Sequence, residues 1–346
     1  MPATFFVHLI RFLIIVLFLA AAVTPTPWAF VTLCYMTLGV FFLDALLSSD
    51  VEVNLGNAES KLTLWVQAIA HVFVLGATLW SVAFHAPIYP WASMFLILAT
   101  GLYMGQVSNS LAHELIHKTS RQSVRVGRLI YSTLLFAHHA TAHRFIHHPY
   151  VATDQDPSSA AYGQGFYNYL LGAWYQNLTR AYSIDRERCA KLGKSFLAVI
   201  VQDLALPMAI VIGLGVALGS TAVLAYLFIC FYAQIQLMLS DYVQHYGLRR
   251  NLDDDGRLEP VGPQHSWDAP FWLSSTLMLN APLHGHHHMR PQVSFENLKS
   301  PEKTGGPVLP YNLPTMCALA LVPPVWRLIM GRRVDNLHEY MANPAD

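Results

Sequence analysis

Four short stretches concentrate the imidazoles of this chain: "HELIHK" (113–118), "HRFIHH" (143–148), "DYVQHYGL" (241–248) and "HGHHH" (284–288). In the first, His113 and His117 are four apart and share a helix face. The second offers His143, His147 and His148. The third offers His245, and the fourth offers His284, His287 and His288 in an H-x-x-H-H spacing. Neutral imidazole is a ligand for iron, zinc, copper and nickel. Nine such nitrogens exceed the roughly four to six positions of one ion, so two ions are implied. Zinc takes fewer ligands per ion, which favours iron. A rival reading is local: "HELIH" matches the H-E-x-x-H signature of zinc proteases, with Glu114 as general base. It leaves the other seven histidines without a role.

For the clusters to meet, the elements carrying them must end on one side. The chain has 346 residues, 54% hydrophobic and 12% charged, against about 25% charged in soluble proteins. A hydrocarbon core of ~30 Å takes about 20 apolar residues as helix. Six stretches qualify, at approximately 4–23, 27–48, 62–84, 89–112, 196–218 and 220–241. No Lys or Arg lies in the turns at 24–28, 85–91 and 219–221; most lie within 118–194, 249–303 and 327–333. The positive-inside rule then places segments 113–195 and 242–346 in the cytoplasm. A helix begun near Pro90 and carried to His117 reaches roughly 42 Å, well past the ~30 Å core. The sixth span likewise delivers His245 a turn beyond its apolar stretch.

The fold expected is all-α: one polytopic membrane domain over 1–346, with six transmembrane helices and a His-rich metal site on the cytoplasmic side. Residues 1–23 read as an anchor rather than a cleaved leader, because no Lys or Arg precedes Arg11. The stretches 268–283 and 316–330 are too short or proline-broken to span, and read as helices at the interface or packed on the cytoplasmic segments. Lys+Arg and Asp+Glu balance at 21 each, which argues against a nucleic-acid partner. Cys34, Cys189, Cys230 and Cys317 are scattered and form no C-x-x-C pair, so no iron–sulfur site is available and a redox partner is another chain. His8, His71, His85 and His338 read as ordinary polar residues, as do His138, His139, His265 and His286 nearer the clusters, for which support of the ligating rings is the alternative role.

At these residues the sequence resembles the membrane-bound non-haem di-iron alkane monooxygenases, which include the xylene monooxygenase hydroxylases, within the His-box fatty acid desaturase-like superfamily. The family motifs HE-x-x-HK, EH-x-x-GHH, NY-x-EHYGL and LQRH-x-x-HHA stand here as "HELIHK", "AHRFIHH", "DYVQHYGL" and "APLHGHHHM". The similarity extends to "VATDQDPSSAAYGQGFYNYL", "RPQVSFENL" and the closing "LPYNLPTMCALALVPPVWRLIMGRRV", so it runs from about residue 100 to 335. The resemblance implies that His113, His117, His143, His147, His148, His245, His284, His287 and His288 ligate two iron ions. It implies O2 as co-substrate, electrons from a rubredoxin or ferredoxin with its reductase, and hydroxylation of a terminal alkane carbon or an alkyl-aromatic methyl. The hydrophobic substrate would arrive through membrane lipid, with the site on the cytoplasmic side of a bacterial cytoplasmic (inner) membrane. A fatty-acyl desaturase or decarboxylase with the same di-iron site is the alternative. Sequence does not divide the histidines between the two irons.

No ligand of the pattern is missing, but its surroundings differ. Ala142 stands where the family has Glu, and Ile146 where it has Gly. Pro282 and Leu283 replace Gln-Arg, Asp241 replaces Asn, and Gln244 replaces Glu. An isoleucine for a glycine is expected to narrow the pocket, and lost charges to alter the partner surface. Glu114, Asp156 and Asp241, with Asn109, are the candidates to receive the ligands' second N–H. Asp44 and Asp203 fall in or near spans, where a carboxylate is costly and therefore suspect.

Overall fold

The computed structural model describes residues 3–47, 57–252 and 255–342. Their regular structure is helical, with two isolated β-bridges, Leu252 to Leu258 and Asp268 to Val308. In chain order the helices are α1 (Ala3–Val23), α2 (Pro25–Leu46), α3 (Asn57–His85), α4 (90–117), α5 (Arg121–Thr133) and α6 (139–150). There follow α7 (Phe166–Lys191), α8 (Phe196–Ala217), α9 (Ser220–His245), α10 (Trp272–Leu277), α11 (His284–Met289), α12 (Leu313–Ala320) and α13 (Pro323–Ala342).

Five helices, α1, α2, α3, α8 and α9, are long and apolar enough to cross a bilayer. Their outward side chains are apolar and bare, as with Val216, 85% exposed, and Ile69, 67% exposed. Aqueous surfaces do not carry contiguous apolar belts of this kind. The protein is an integral membrane protein. The stretch expected to span at 89–112 is not among those five, although like α2, with its π turn at Tyr35–Gly39, it forms one interrupted helix. It is helical throughout as α4, yet a π turn at Met104–Ser108 divides it into Pro90–Tyr103 and Asn109–His117. Its residues 99–108 are buried among the other helices rather than facing outward.

Small residues let α4 and α9 approach. A Cβ on Gly105 would collide with the Cβ of Gln236, and one on Gly101 with the Tyr232 ring. Several polar groups inside the bundle are paired across helices, as an apolar solvent favours, although Ser60, Gln67 and Ser93 keep buried polar atoms without a partner. Thr78 and Thr100 share a 2.7 Å hydrogen bond between α3 and α4. Arg128 on α5 donates to both oxygens of Asp203 on α8 at 2.7 Å and to Asp185 on α7 at 3.0 Å. Asp185 also accepts from Thr141 on α6, so one half-buried guanidinium and its carboxylates fasten four helices.

The segment 268–283 holds only the six-residue helix α10, which is buried. Both of its ends are gripped from the membrane hairpin. Asp44 accepts the amide N–H of Leu273 at 2.7 Å and of Ser274 at 3.2 Å, and takes the Asn312 amide at 2.8 Å. Arg11 donates to the carbonyl of Thr276 at 2.7 Å. Asp44 is therefore a helix cap, not an unpaired charge. The stretch 316–330 falls on α12 and α13, broken at Pro323, where Trp326 is buried against Tyr242 and Tyr246.

Candidate metal centre

The nine histidines of the four motifs come together. α4 supplies His113 and His117, α6 supplies His143, His147 and His148, α9 ends on His245, and α11 supplies His284, His287 and His288. They divide into two sets whose nitrogens lie within 4.8 Å of one another: His113, His117, His143, His148 and His287, and then His147, His245, His284 and His288.

The division depends on a local irregularity. Residues 143–147 form a π turn, in which residues five apart align. His143 and His148 thereby meet, Nε2 to Nε2, at 2.9 Å. Pro149, just after this turn, has no N–H for the carbonyl of Phe145 and favours a break in the α-helical pattern here. His147, one residue from His148, is turned into the other set.

The nitrogens face each other in a way protons alone do not satisfy. His148 Nε2 lies 2.9 Å from His143 Nε2 and 3.2 Å from His287 Nε2. His284 Nε2 lies 3.1 Å from His245 Nε2 and 3.0 Å from His288 Nε2. The Nε2 atoms of His113, His117 and His147 are buried with no partner. A neutral ring carries one N–H, so converging lone pairs of this kind are satisfied by a cation. Burial, then neighbouring imidazoles, push His143, His148, His284, His287 and His288 well below the usual histidine range, which keeps them neutral and ligand-ready. The residues present fit bound metal.

Partners behind the rings orient them. His147 Nδ1 bonds Asp156 Oδ2 at 2.8 Å, and the same carboxylate accepts from the Ser158 amide at 3.0 Å and the Ser159 hydroxyl at 2.6 Å. Burial would lower His147, but Asp156 outweighs it and holds the ring above the histidine range. Against its own burial, Asp156 is held low by His147. His245 Nδ1 donates to the carbonyl of His265 at 3.1 Å. Asp268 accepts the Gly285 amide at 2.8 Å, at the start of the helix bearing the last cluster. Neither the His265 carbonyl nor Asp268 carries a motif that sequence reading recognises. A carboxylate two residues before a proline was the one available signal for Asp268.

The other candidates are disposed differently. Glu114 pairs with Lys118 and accepts the Phe295 amide. Asn109 accepts from the Tyr131 hydroxyl at 3.1 Å. Asp241 lines a cavity of about 30 Å³ together with Asn109, His113, His143, Gln244 and His284. His286 accepts the Lys299 amide, His71 bonds Thr133, and His338 bonds the Gly247 carbonyl, so these three serve structure. Ala142 and Ile146 pack with Ala181 on the opposite face of α6, against α7. The isoleucine thus fills a helix seam and does not narrow the cavity.

On its other side, the five-histidine set borders an open cleft of about 510 Å³. His117 lines it, with Lys118, Arg121, Arg125 and Arg144.

Comparison with known proteins agrees with this geometry. The fatty acid desaturase family profile matches residues 89–319. The chain is 32% identical to alkane 1-monooxygenase 2 of Alcanivorax borkumensis over 246 residues, covering 70% of this chain and 64% of that protein. It is 30% identical to alkane 1-monooxygenase 2 of Pseudomonas aeruginosa over 267 residues, 75% of this chain and 70% of the relative. It is 26% identical to the xylene/toluene monooxygenase hydroxylase component of Pseudomonas putida over 261 residues, 72% and 67% of the two chains.

Proposed function

We propose that this chain, which belongs to the fatty acid desaturase family, is a membrane-bound monooxygenase that hydroxylates a C–H bond of a hydrophobic substrate with O2. The reaction balances as substrate, O2, two electrons and two protons giving alcohol and water. The observation that carries the reading is the pair of converging imidazole sets, five and four, sharing one small cavity. The five would hold one iron and the four a second. Bound iron supplies the O2 chemistry. The chain's residues hold the ions through neutral donors, with Asp156 orienting His147.

The relatives' names point to a terminal alkane carbon or an alkyl-aromatic methyl as the position oxidised. The apolar outer faces of the helices fit delivery from the bilayer. In this reading α4 is a sixth span, and the histidine segments lie on the cytoplasmic side of the bacterial inner membrane, as the placement of Lys and Arg supports.

Electrons must come from outside, since the four cysteines are free and scattered. The basic cleft at His117 is the face that suits an acidic rubredoxin or ferredoxin. A zinc-protease reading is disfavoured because Glu114 is engaged by Lys118. Metal analysis and O2 turnover with a reduced donor test the proposal. About two irons per chain and an alcohol product support it. Stoichiometric zinc without iron would overturn it, and an alkene product would favour the desaturase alternative.

A further inference from the structure

Nine imidazoles, each neutral when it ligates, would give a pair of dications no anionic side-chain ligand, so any compensating charge from the chain comes from carboxylates nearby. Three of those carboxylates are already committed. Asp156 serves His147 and Ser159, Glu114 serves Lys118, and Asp268 caps the Gly285 amide. Asp241 is set apart by its place: Ser158 hydrogen-bonds it, and its free Oδ2 is matched by that of Asp268, but it alone of the four lines the cavity between the two sets. It is 6% exposed, its Oδ2 has no hydrogen-bond partner, and it lines the cavity with His113 and His143 of one set and His284 of the other.

Gln244 lines the same cavity, three residues further along α9 and on the same face. The motif resembled here has Asn and Glu at these two positions, whereas this chain has Asp and Gln. One carboxylate and one amide are kept, with their places exchanged. Gln244 already sits as an acceptor: its Oε1 receives the Ser240 hydroxyl at 2.9 Å. A carboxylate there would keep that bond.

We propose that Asp241 is the cavity's charge-compensating group, lowering the reduction potential of the metal centre, and that positions 241 and 244 are a transposed pair in which either residue can carry the charge. The proposal rests on the di-iron reading. An unneutralised carboxylate in a buried, low-dielectric wall stabilises the more oxidised, more highly charged state of ions beside it.

The test is spectroelectrochemical titration of the iron-loaded, detergent-purified full chain, after iron content is measured. Asp241→Asn is expected to keep its iron and shift the potential upward. Adding Gln244→Glu to that variant should bring the potential back toward the wild-type value. Gln244→Glu alone, which leaves Asp241 in place, should shift it below wild type, and this arm stands even where Asp241→Asn fails to fold. Unchanged potentials in iron-replete variants would overturn the proposal, as would a double variant that stays with Asp241→Asn. A wild-type chain that binds no iron would instead defeat the functional reading.

Discussion

Asp44 and Arg11, on two different membrane-crossing helices, hold opposite ends of one six-residue helix: Asp44 takes its first amides and Arg11 donates to the Thr276 carbonyl in its last turn. An anion at the N-terminus and a cation at the C-terminus both oppose the helix dipole favourably. That short helix leads directly into the segment bearing His284, His287 and His288. Asp44→Ala would leave two buried amides without acceptors, a loss of about 1–3 kcal/mol. A lowered thermal midpoint in detergent would show it, and Asp44→Asn, which keeps an acceptor oxygen, should recover part of the loss.

The Asp156–His147 bond predicts a graded effect on metal retention. Replacing a carboxylate that orients a ligating histidine weakens metal binding roughly 10–100-fold. Asp156→Ala should therefore release iron to a competing chelator at correspondingly lower concentration. Glu114→Gln, whose carboxylate faces Lys118, should not change that concentration. Equal loss in both variants would contradict the roles drawn from the geometry.

Because the histidines fall into two sets, single substitutions should remove one ion rather than both. His245→Ala is expected to reduce bound iron from about two per chain to about one, and to abolish turnover. His338→Ala, whose ring bonds the Gly247 carbonyl, should retain iron and activity. Iron analysis with Mössbauer spectroscopy separates these outcomes.

Charge reversal at the cleft tests the route of electrons. Arg121→Glu combined with Arg125→Glu should raise the KM for an acidic electron carrier while leaving iron content and the KM for substrate unchanged. In the wild type, the same KM should rise with ionic strength, because the Debye length shrinks from ~10 Å at 0.1 M to ~3 Å at 1 M. A carrier KM indifferent to both changes would place docking elsewhere.

The sequence made much of this arrangement legible. Runs of apolar residues marked the five long helices to within a few positions, and four motifs marked all nine histidines that converge. What it could not disclose was direction. His143 and His148 meet because a π turn just before Pro149 aligns residues five apart. Periodicity of 3.6 would have put His143 with His147. Ile146 looked like an intrusion on the pocket, yet it points at α7. Asp44 looked like a suspect charge in a span, and its partners lie more than 220 residues away in sequence. Contacts of that separation leave no local pattern to read.

The two imidazole sets differ in their access to water, and this gives metal loading a direction. His117 of the five-histidine set opens onto the cleft, whereas no residue of the other set lines it and all four are buried. An ion held by the buried four would have no opening to that cleft and would leave through the small shared cavity or after local unfolding. Removal by a chelator should accordingly be biphasic, one ion departing quickly and the second at the rate of opening. The same asymmetry should appear on loading, with the four-histidine set of an already folded chain filling more slowly than the five.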